Sequence, residues 1–380
     1  MDVLTHKCPN CGGALTFEPD DQKFHCPYCL SIFTVDEVSE FEEKQKQAQM
    51  AESETPAEEP TAESASETET INPTDTAGEA ENAEGMSDSM DLFLCPNCGA
   101  EIVTDATTAA TYCYYCHNPV VLQGRLSGNF LPNKVLPFAI GKEEATAKFL
   151  EWAQKKAFVP KDFFSQEQVE KLTGVYFPYW DVDAETQGEL TGTGTALRVW
   201  IVGDIEYTET KQYEIERAGK IKFKNLVKNA LSKNVQQKMV TGVQPFPLEK
   251  AVEFKNQYLA GFQAEKRDIE YADMQETVKK ELHSYSEDLL RGTVGSFSTF
   301  VPRQKNVDVT KEEEQYLLLP VWLVTYRSND SDKKTYYYAM NGQTGKVSGV
   351  LPISYKKLGL TALGIFLGVL LLFLLGGYFI

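Results

Sequence analysis

The final 23 residues, 358–380, carry no charged side chain and show no polar face at the helical period. At about 1.5 Å per residue they make a helix of roughly 34 Å, enough to cross a hydrocarbon core of about 30 Å. Lys356 and Lys357 immediately precede this stretch and nothing basic follows it. The positive-inside bias therefore places everything upstream in the cytosol. Tyr355 and Tyr378 fall where the two membrane interfaces would lie. The pattern reads as a tail anchor, a single-pass cell-membrane protein with a cytoplasmic N-terminal bulk.

Between 128 and 352 the pattern changes period repeatedly, as expected of an α+β domain. Ala145, Phe149, Trp152 and Ala153 are spaced as one face of a helix over 142–156. A second helix is predicted over 165–171 and a third over 274–290, the latter with Val278, Leu282 and Tyr285 on one face. Strands are predicted over 174–183, 198–205, 215–223, 316–326 and 334–340. Asn341-Gly342 and Thr344-Gly345 punctuate a hairpin between 336–340 and 346–350. Phe177-Pro178-Tyr179-Trp180-Asp181-Val182 matches Leu319-Pro320-Val321-Trp322-Leu323-Val324. Two related subdomains would produce that repeat, and so would two unrelated strands sharing Pro-x-Trp.

Charge changes the picture less than its total suggests. The net charge is −18, but residues 51–91 hold thirteen acids and no base, and the rest of the chain carries only −5. Residues 37–91 are rich in Glu, Ala, Ser, Thr and Pro. Such a composition buries too little apolar area to offset the entropy of ordering. It reads as a disordered acidic linker, with a short helix allowed over 36–50. The N-terminus has no apolar run, so no secretory signal is expected and the eight cysteines belong to a reducing compartment, where metal binding is the default.

The cysteines form an internal repeat. Cys8, Cys11, Cys26 and Cys29 are matched 87 residues on by Cys95, Cys98, Cys113 and Cys116, both in the pattern C-x2-C-x14-C-x2-C. Two such pairs supply the four thiolates of a tetrahedral zinc site. Gly12 and Gly99 follow the second cysteine of each first pair, where the turn needs a permissive backbone. Residues 1–36 and 92–125 are thus predicted zinc ribbons, each with one structural zinc ion and no open coordination position. Cys26-Pro27-Tyr28-Cys29 also matches the glutaredoxin tetrapeptide, but a strand over 30–35 is predicted where a redox helix would start. His6, His25 and His117 lie beside cysteines whose ligand count is already complete.

Other motifs are weaker. Gly342-Gln343-Thr344-Gly345-Lys346 lacks the spacing of a phosphate-binding loop and reads as a turn. Lys220–Lys238 holds six lysines and no acid, a solvated face or a contact with anionic lipid. Gly364 and Gly368 form a GxxxG that permits helix–helix pairing and a homo-oligomer. No catalytic set stands out, and His283 lies in a polar helical stretch. The expectation is therefore no enzyme.

The chain resembles bacterial proteins catalogued as transcription factor IIB-type zinc-ribbon proteins, some labelled replication-restart helicases. The resemblance rests on Cys8-Pro9-Asn10-Cys11-Gly12-Gly13-Ala14-Leu15, Gly124-Arg125-Leu126-Ser127-Gly128, Gly174-Val175-Tyr176-Phe177-Pro178-Tyr179-Trp180, Tyr258-Leu259-Ala260-Gly261-Phe262, Leu319-Pro320-Val321-Trp322, and 339–346. It implies membrane association and work beside stomatin/prohibitin-type scaffolds or phage-shock-type envelope-stress proteins. The helicase label finds no nucleotide-binding motif here.

The expected whole is multi-domain: two small β zinc ribbons, an acidic disordered linker, an α+β domain of one or two related units, and one transmembrane helix. The expected role is a membrane-anchored, cytosol-facing adaptor or scaffold for protein partners, with the first ribbon reaching out on its linker. The alternative is a membrane-tethered nucleic-acid-binding regulator, and a third reading is a thiol oxidoreductase. Charge weighs against nucleic acid, because phosphate binding needs clustered Lys and Arg, whereas 92–124 has neither and a four-thiolate zinc adds −2. A DNA or RNA titration of the chain at low salt is expected to be flat; binding that weakens steeply with salt would revive the regulator.

Overall fold

The computed structural model describes residues 3–53, 90–95, 101–105, 107–113, 118–122, 126, 130–156, 158–160, 172–232, 241–327 and 335–378. Within them lie an N-terminal cysteine cluster, a large sheet-rich body and a C-terminal apolar helix. The predicted helix over 165–171 and most of the predicted linker, 54–89, fall outside the described residues.

The first cysteine segment comprises β1 (Val3–Leu4), β2 (Thr16–Glu18), β3 (Lys23–His25) and β4 (Ile32–Phe33). Helix α1 (Val35–Ser53) follows. Thr34 starts it with a capping box. Its hydroxyl accepts from the Glu37 N–H at 3.3 Å, while the Glu37 carboxylate accepts from the Thr34 N–H at 2.7 Å. The second segment comprises β5 (Met90–Leu94), β6 (Glu101–Asp105), β7 (Thr108–Tyr112) and β8 (Pro119–Leu122).

The first segment is not held out on a lead. Its β1 pairs with β8 of the second segment, the Phe17 N–H donates to Ala260 O at 3.0 Å, and Gln22 donates to Phe138 O at 2.7 Å. Phe17 and Phe24 share one apolar core with Phe138 and Phe262 of the body. Helix α1 adds polar ties, Asp36 to Lys255 at 2.8 Å and Glu42 to Gln257 at 2.9 Å. Docking follows from size, since a segment of some 35 residues has too little core of its own.

The body begins with β9 (Lys134–Val135), α2 (Lys142–Gln154), β10 (Thr173–Val202) and β11 (Ile205–Asn229). It continues with β12 (Val252–Glu253), β13 (Gln263–Glu265), α3 (Tyr271–Gly292), β14 (Thr299–Arg327), β15 (Thr335–Asn341) and β16 (Val347–Val350). Two Pro-x-Trp strands, β10 and β14, run antiparallel as direct neighbours, with Phe177 opposite Leu319. About this pair the hydrogen bonds recur two-fold. Pro178 O accepts from Ala230 N (3.1 Å) as Pro320 O does from Gly342 N (2.9 Å). The Trp180 indole donates to Ile269 O (3.0 Å) as the Trp322 indole does to Ile140 O (2.9 Å). Ala230 O holds the N–H groups of Asp268 and Ile269, and Gly342 O those of Ala139 and Ile140.

The two β-α-β-β stretches are interlocked rather than side by side. The short strand before α2, β9, lies parallel on β14, and the one before α3, β13, lies parallel on β10. Each tryptophan is bonded to the loop of the other half. Both faces of this central pair are buried, one by α2, α3 and the first cysteine segment, the other by Leu231, Val243, Phe246 and Leu248. This explains why Val175–Trp180 and Tyr316–Val324 read as continuous apolar runs instead of alternating ones.

Further along β10 the alternation is strict. Even positions from Val182 to Gly194 are buried and odd positions face outward. Helix α3 covers the buried face with Val278, Leu282, Ser286 and Leu290. Much of that face is Ala184, Thr186, Gly188, Gly192 and Gly194, and a Cβ on Gly188 would lie 2.7 Å from Leu290 Cδ1. These small residues let α3 approach and hide the apolar period from the sequence. Consequently 174–183 and 198–202 belong to a single strand, and the predicted strand 198–205 instead spans the hairpin turn at Gly203, whose φ is +66°. Tyr285, expected on the core face of α3, is exposed, and Ser286 is buried with a 2.8 Å bond to Thr186.

The lysines at 220, 222 and 224 share an exposed face as predicted. Lys222 pairs with Glu185 at 2.8 Å across the strand, so the face is mixed in charge. Helix α4 (Tyr355–Tyr378) leaves the body beside Phe158, whose carbonyl accepts from Ser354 N at 2.7 Å. It is the one helix among the described residues long and apolar enough to cross a membrane.

The paired tryptophans give a direct test. Trp180→Phe and Trp322→Phe each strand a carbonyl, part-buried at Ile269 and buried at Ile140, at a cost of about 1–3 kcal/mol. Denaturant unfolding is expected to show similar losses for both; a loss at only one would break the equivalence of the halves.

Candidate metal centre

Two tight turns present the first four sulfurs. In the first, the Cys8 N–H donates to Gly13 O at 2.7 Å and the Gly12 N–H to Cys8 O at 2.9 Å. In the second, the Cys26 N–H donates to Ser31 O at 3.0 Å and the Leu30 N–H to Cys26 O at 3.0 Å. The turns are equivalent, so Gly12 and Leu30 occupy the same left-handed position, at φ +74° and +60°. Glycine adopts that conformation freely, whereas leucine is strained in it.

All four sulfurs lie within 4.8 Å of one another. Cys8 and Cys29 are 3.6 Å apart, Cys11 and Cys26 3.4 Å. A tetrahedral metal at about 2.3 Å from each sulfur spaces them about 3.8 Å apart, so the donor set fits one ion. None of the described cysteines is in a disulfide. Both sulfurs of Cys26-Pro27-Tyr28-Cys29 lie close to a sulfur of the other pair, which suits a shared cation rather than an isolated redox dithiol.

Crowding sets the thiols against one another. The Gly13 N–H lowers the Cys11 thiol, but hydrogen bonds with the Cys26 and Cys29 sulfurs outweigh it and push that thiol up to about 12. Cys29 moves the other way, to about 6, because Ser31 donates to it from both hydroxyl and backbone. Four thiolates at this spacing repel unless a cation sits among them. Cys8 and Cys26 face inward beside Phe17, Phe24 and Val38, while Cys11 and Cys29 face solvent.

The histidines stay outside this set. His6 is buried, with Nδ1 2.6 Å from Glu42 Oε1 of α1. His25 Nε2 meets Asp21 Oδ2 at 2.9 Å. His283 is exposed on α3, and His117 lies outside the described residues.

Of the second set, Cys95 and Cys113 are described and buried together with Phe93, Ile102, Val120 and Leu122. Cys98 and Cys116, with Gly99, lie outside the described residues. Where both segments are described their registers agree at the 87-residue spacing. Leu94 pairs with Glu101 as Lys7 does with Ala14, and Tyr112 with Pro119 as His25 does with Ile32. The Cys113 N–H donates to Asn118 O at 2.9 Å, repeating the Cys26 turn.

One group of residues went unread in the sequence. Tyr28, Leu30 and Ile32 stand 66%, 81% and 52% exposed around the second turn. The readable signal was a leucine at the position held by glycine in the first turn.

Cluster and fold together define a sheet-rich protein with an N-terminal four-cysteine site and a C-terminal apolar helix. No protein-family model matches the chain, and no solved structure matches it. It is 28% identical over 314 residues to the Uncharacterized protein YdjG of Bacillus subtilis (strain 168), a stretch covering 70% of this chain and 91% of that protein.

Leu30→Gly removes left-handed strain at some cost in unfolded-state entropy, a net gain of about 0.5–1 kcal/mol, and Gly12→Leu is expected to lose about as much or more. Thermal unfolding of the metal-loaded protein checks both signs. Cys8→Ser or Cys26→Ser is expected to lower bound zinc by one ion per chain by elemental analysis; unchanged metal content would remove these residues from the site.

Proposed function

We propose that the chain is a non-enzymatic, membrane-anchored adaptor whose cysteine segments are two zinc ribbons with structural metal. Helix α4 is its single span, and the body and ribbons stand at the cytosolic face of the cell membrane. A closed four-thiolate site supplies folding energy and leaves no coordination position for substrate. The observation that carries the adaptor reading is the exposed trio Tyr28, Leu30 and Ile32 on the first ribbon. Leu30 is both solvent-exposed and strained, so neither packing nor backbone geometry accounts for a leucine there. Partner contact does.

The partner class is that implied by the resemblance to transcription factor IIB-type zinc-ribbon proteins, a stomatin/prohibitin-type or phage-shock-type membrane assembly. Residues 54–89, which carry acids and no base, link the two ribbons. The mixed-charge face around Lys222 and Glu185 weighs against the alternative of a nucleic-acid regulator.

Deleting residues 1–91 would also strip β1 from β8, so surface substitutions make the cleaner test. Tyr28→Ser, Leu30→Ser and Ile32→Ser combined are expected to abolish co-purification of partners from detergent extracts while zinc content stays at two per chain. Unchanged partners with intact metal would sink the role given to this face.

A further inference from the structure

The β10–β11 hairpin outruns everything that packs on it. Strand β14 leaves the ladder at Thr195↔Thr299, and α3 ends at Gly292. Phe297 is the last cover, against Gly194 and 5.7 Å from the Tyr213 ring. Ser298 makes the last bond, its hydroxyl accepting from the Leu197 N–H at 3.0 Å, and from Arg198 to the turn at Gly203 the hairpin is two strands alone, a ribbon that is marginal in water. Its end is nonetheless apolar. Trp200, Val202, Ile205 and Tyr207 are 40%, 59%, 59% and 43% exposed on the face that α3 covers lower down. The Trp200 and Tyr207 rings stack at 5.7 Å. Below them Arg198 and Glu209 pair across the strands; Arg198 lies over Trp200, and Glu209 meets Lys211 at 3.1 Å.

We propose that this stripe is a homodimer contact, covered by the same stripe of a second copy. The parallel arrangement rests on the membrane reading of α4. That helix leaves from the opposite end of the sheet, beyond the start of β10, and Val202 lies roughly 90 Å along the strand from Thr173. Two copies anchored in one bilayer thus hold their stripes at equal height and pointing the same way. A two-fold axis parallel to the strands then lays β10 of one copy over β11 of the other. Because Arg198↔Glu209, Trp200↔Tyr207 and Val202↔Ile205 are cross-strand pairs, this axis sets Trp200 against the partner's Tyr207 and Arg198 against the partner's Glu209. The stripe is complementary to itself in both shape and charge.

A lipid occupant fits less well, since Asp204, Glu206 and Glu209 would enter the bilayer with the tip. Four side chains offer a few hundred Å², short of the roughly 800 Å² per partner of a stable complex. The contact is weak alone, and the shared bilayer supplies the effective concentration that completes it.

Charge reversal tests this in the full chain. Donor- and acceptor-tagged copies are reconstituted in liposomes at a fixed lipid ratio and energy transfer is read. Arg198→Glu or Glu209→Arg alone sets like charges across both contacts, and dimer is expected to fall at least about tenfold. Mixing the two variants restores opposite charges and should restore transfer, an outcome no misfolded variant would give. Single reversals that transfer normally, or a mixture that stays monomeric, would overturn the proposal. So would transfer abolished only by Gly364→Ile with Gly368→Ile, which would place the contact in α4. Flotation of the same liposomes reports on the membrane reading separately; a chain that does not float refutes the anchor, and the charge-reversal rescue is then read in solution.

Discussion

Phe177 faces Leu319 at the centre of the two-fold repeat in the β10–β14 ladder, and the rest of the body is built outward from that pair. Each strand carries a proline one residue on, whose missing N–H leaves the edge to be closed by a turn from the same half. Each carries a tryptophan two residues further, whose indole reaches a carbonyl in the opposite half. The crossing of β9 to β14 and β13 to β10 makes the two halves mutually dependent. Neither half has a complete core without the other, so cooperativity is a consequence of topology.

The cysteine segments draw on the same body. The second is stitched to it through β7, which pairs with β13, and the first through β1 on β8 and Phe17 on Ala260. A segment this small cannot orient itself, and a metal held by its four cysteines would only join its two turns. Docking decides which sulfurs are buried and which face of the first ribbon is left open, and that open face bears Tyr28, Leu30 and Ile32. The body thereby leaves apolar side chains exposed at two distant places, the first cysteine segment and the end of the long hairpin, while α4 leaves from a third.

The first cysteine cluster was legible because the turns that present its sulfurs are local. Two residues between cysteines set the turn, and a doubled pattern at constant spacing repeats the register, as the matching pairs Lys7–Ala14 and Leu94–Glu101 show. Helices α2 and α3 were legible from apolar spacing, apart from the exposed Tyr285. The length of β10 was not, because most of its buried positions beyond Val182 are Gly, Ala and Thr, with Leu190 the exception. A close helix–strand contact selects small side chains, and these erase the hydrophobic alternation that marks a strand.

By itself the sequence determined the cysteine turns, the apolar C-terminal helix and the periods of α2 and α3, all of which follow from residues within a few positions of one another. Tertiary structure alone decided that the Pro-x-Trp stretches are neighbours in one sheet, that the first cysteine segment is docked, and that the hairpin reaches beyond its cover. Those outcomes depend on pairings between residues more than a hundred positions apart, as between Val3 and Leu122 or between Phe177 and Leu319. Pairing energy at such separations belongs to the assembled core, where burial on both faces selects one register among many that local pattern would allow.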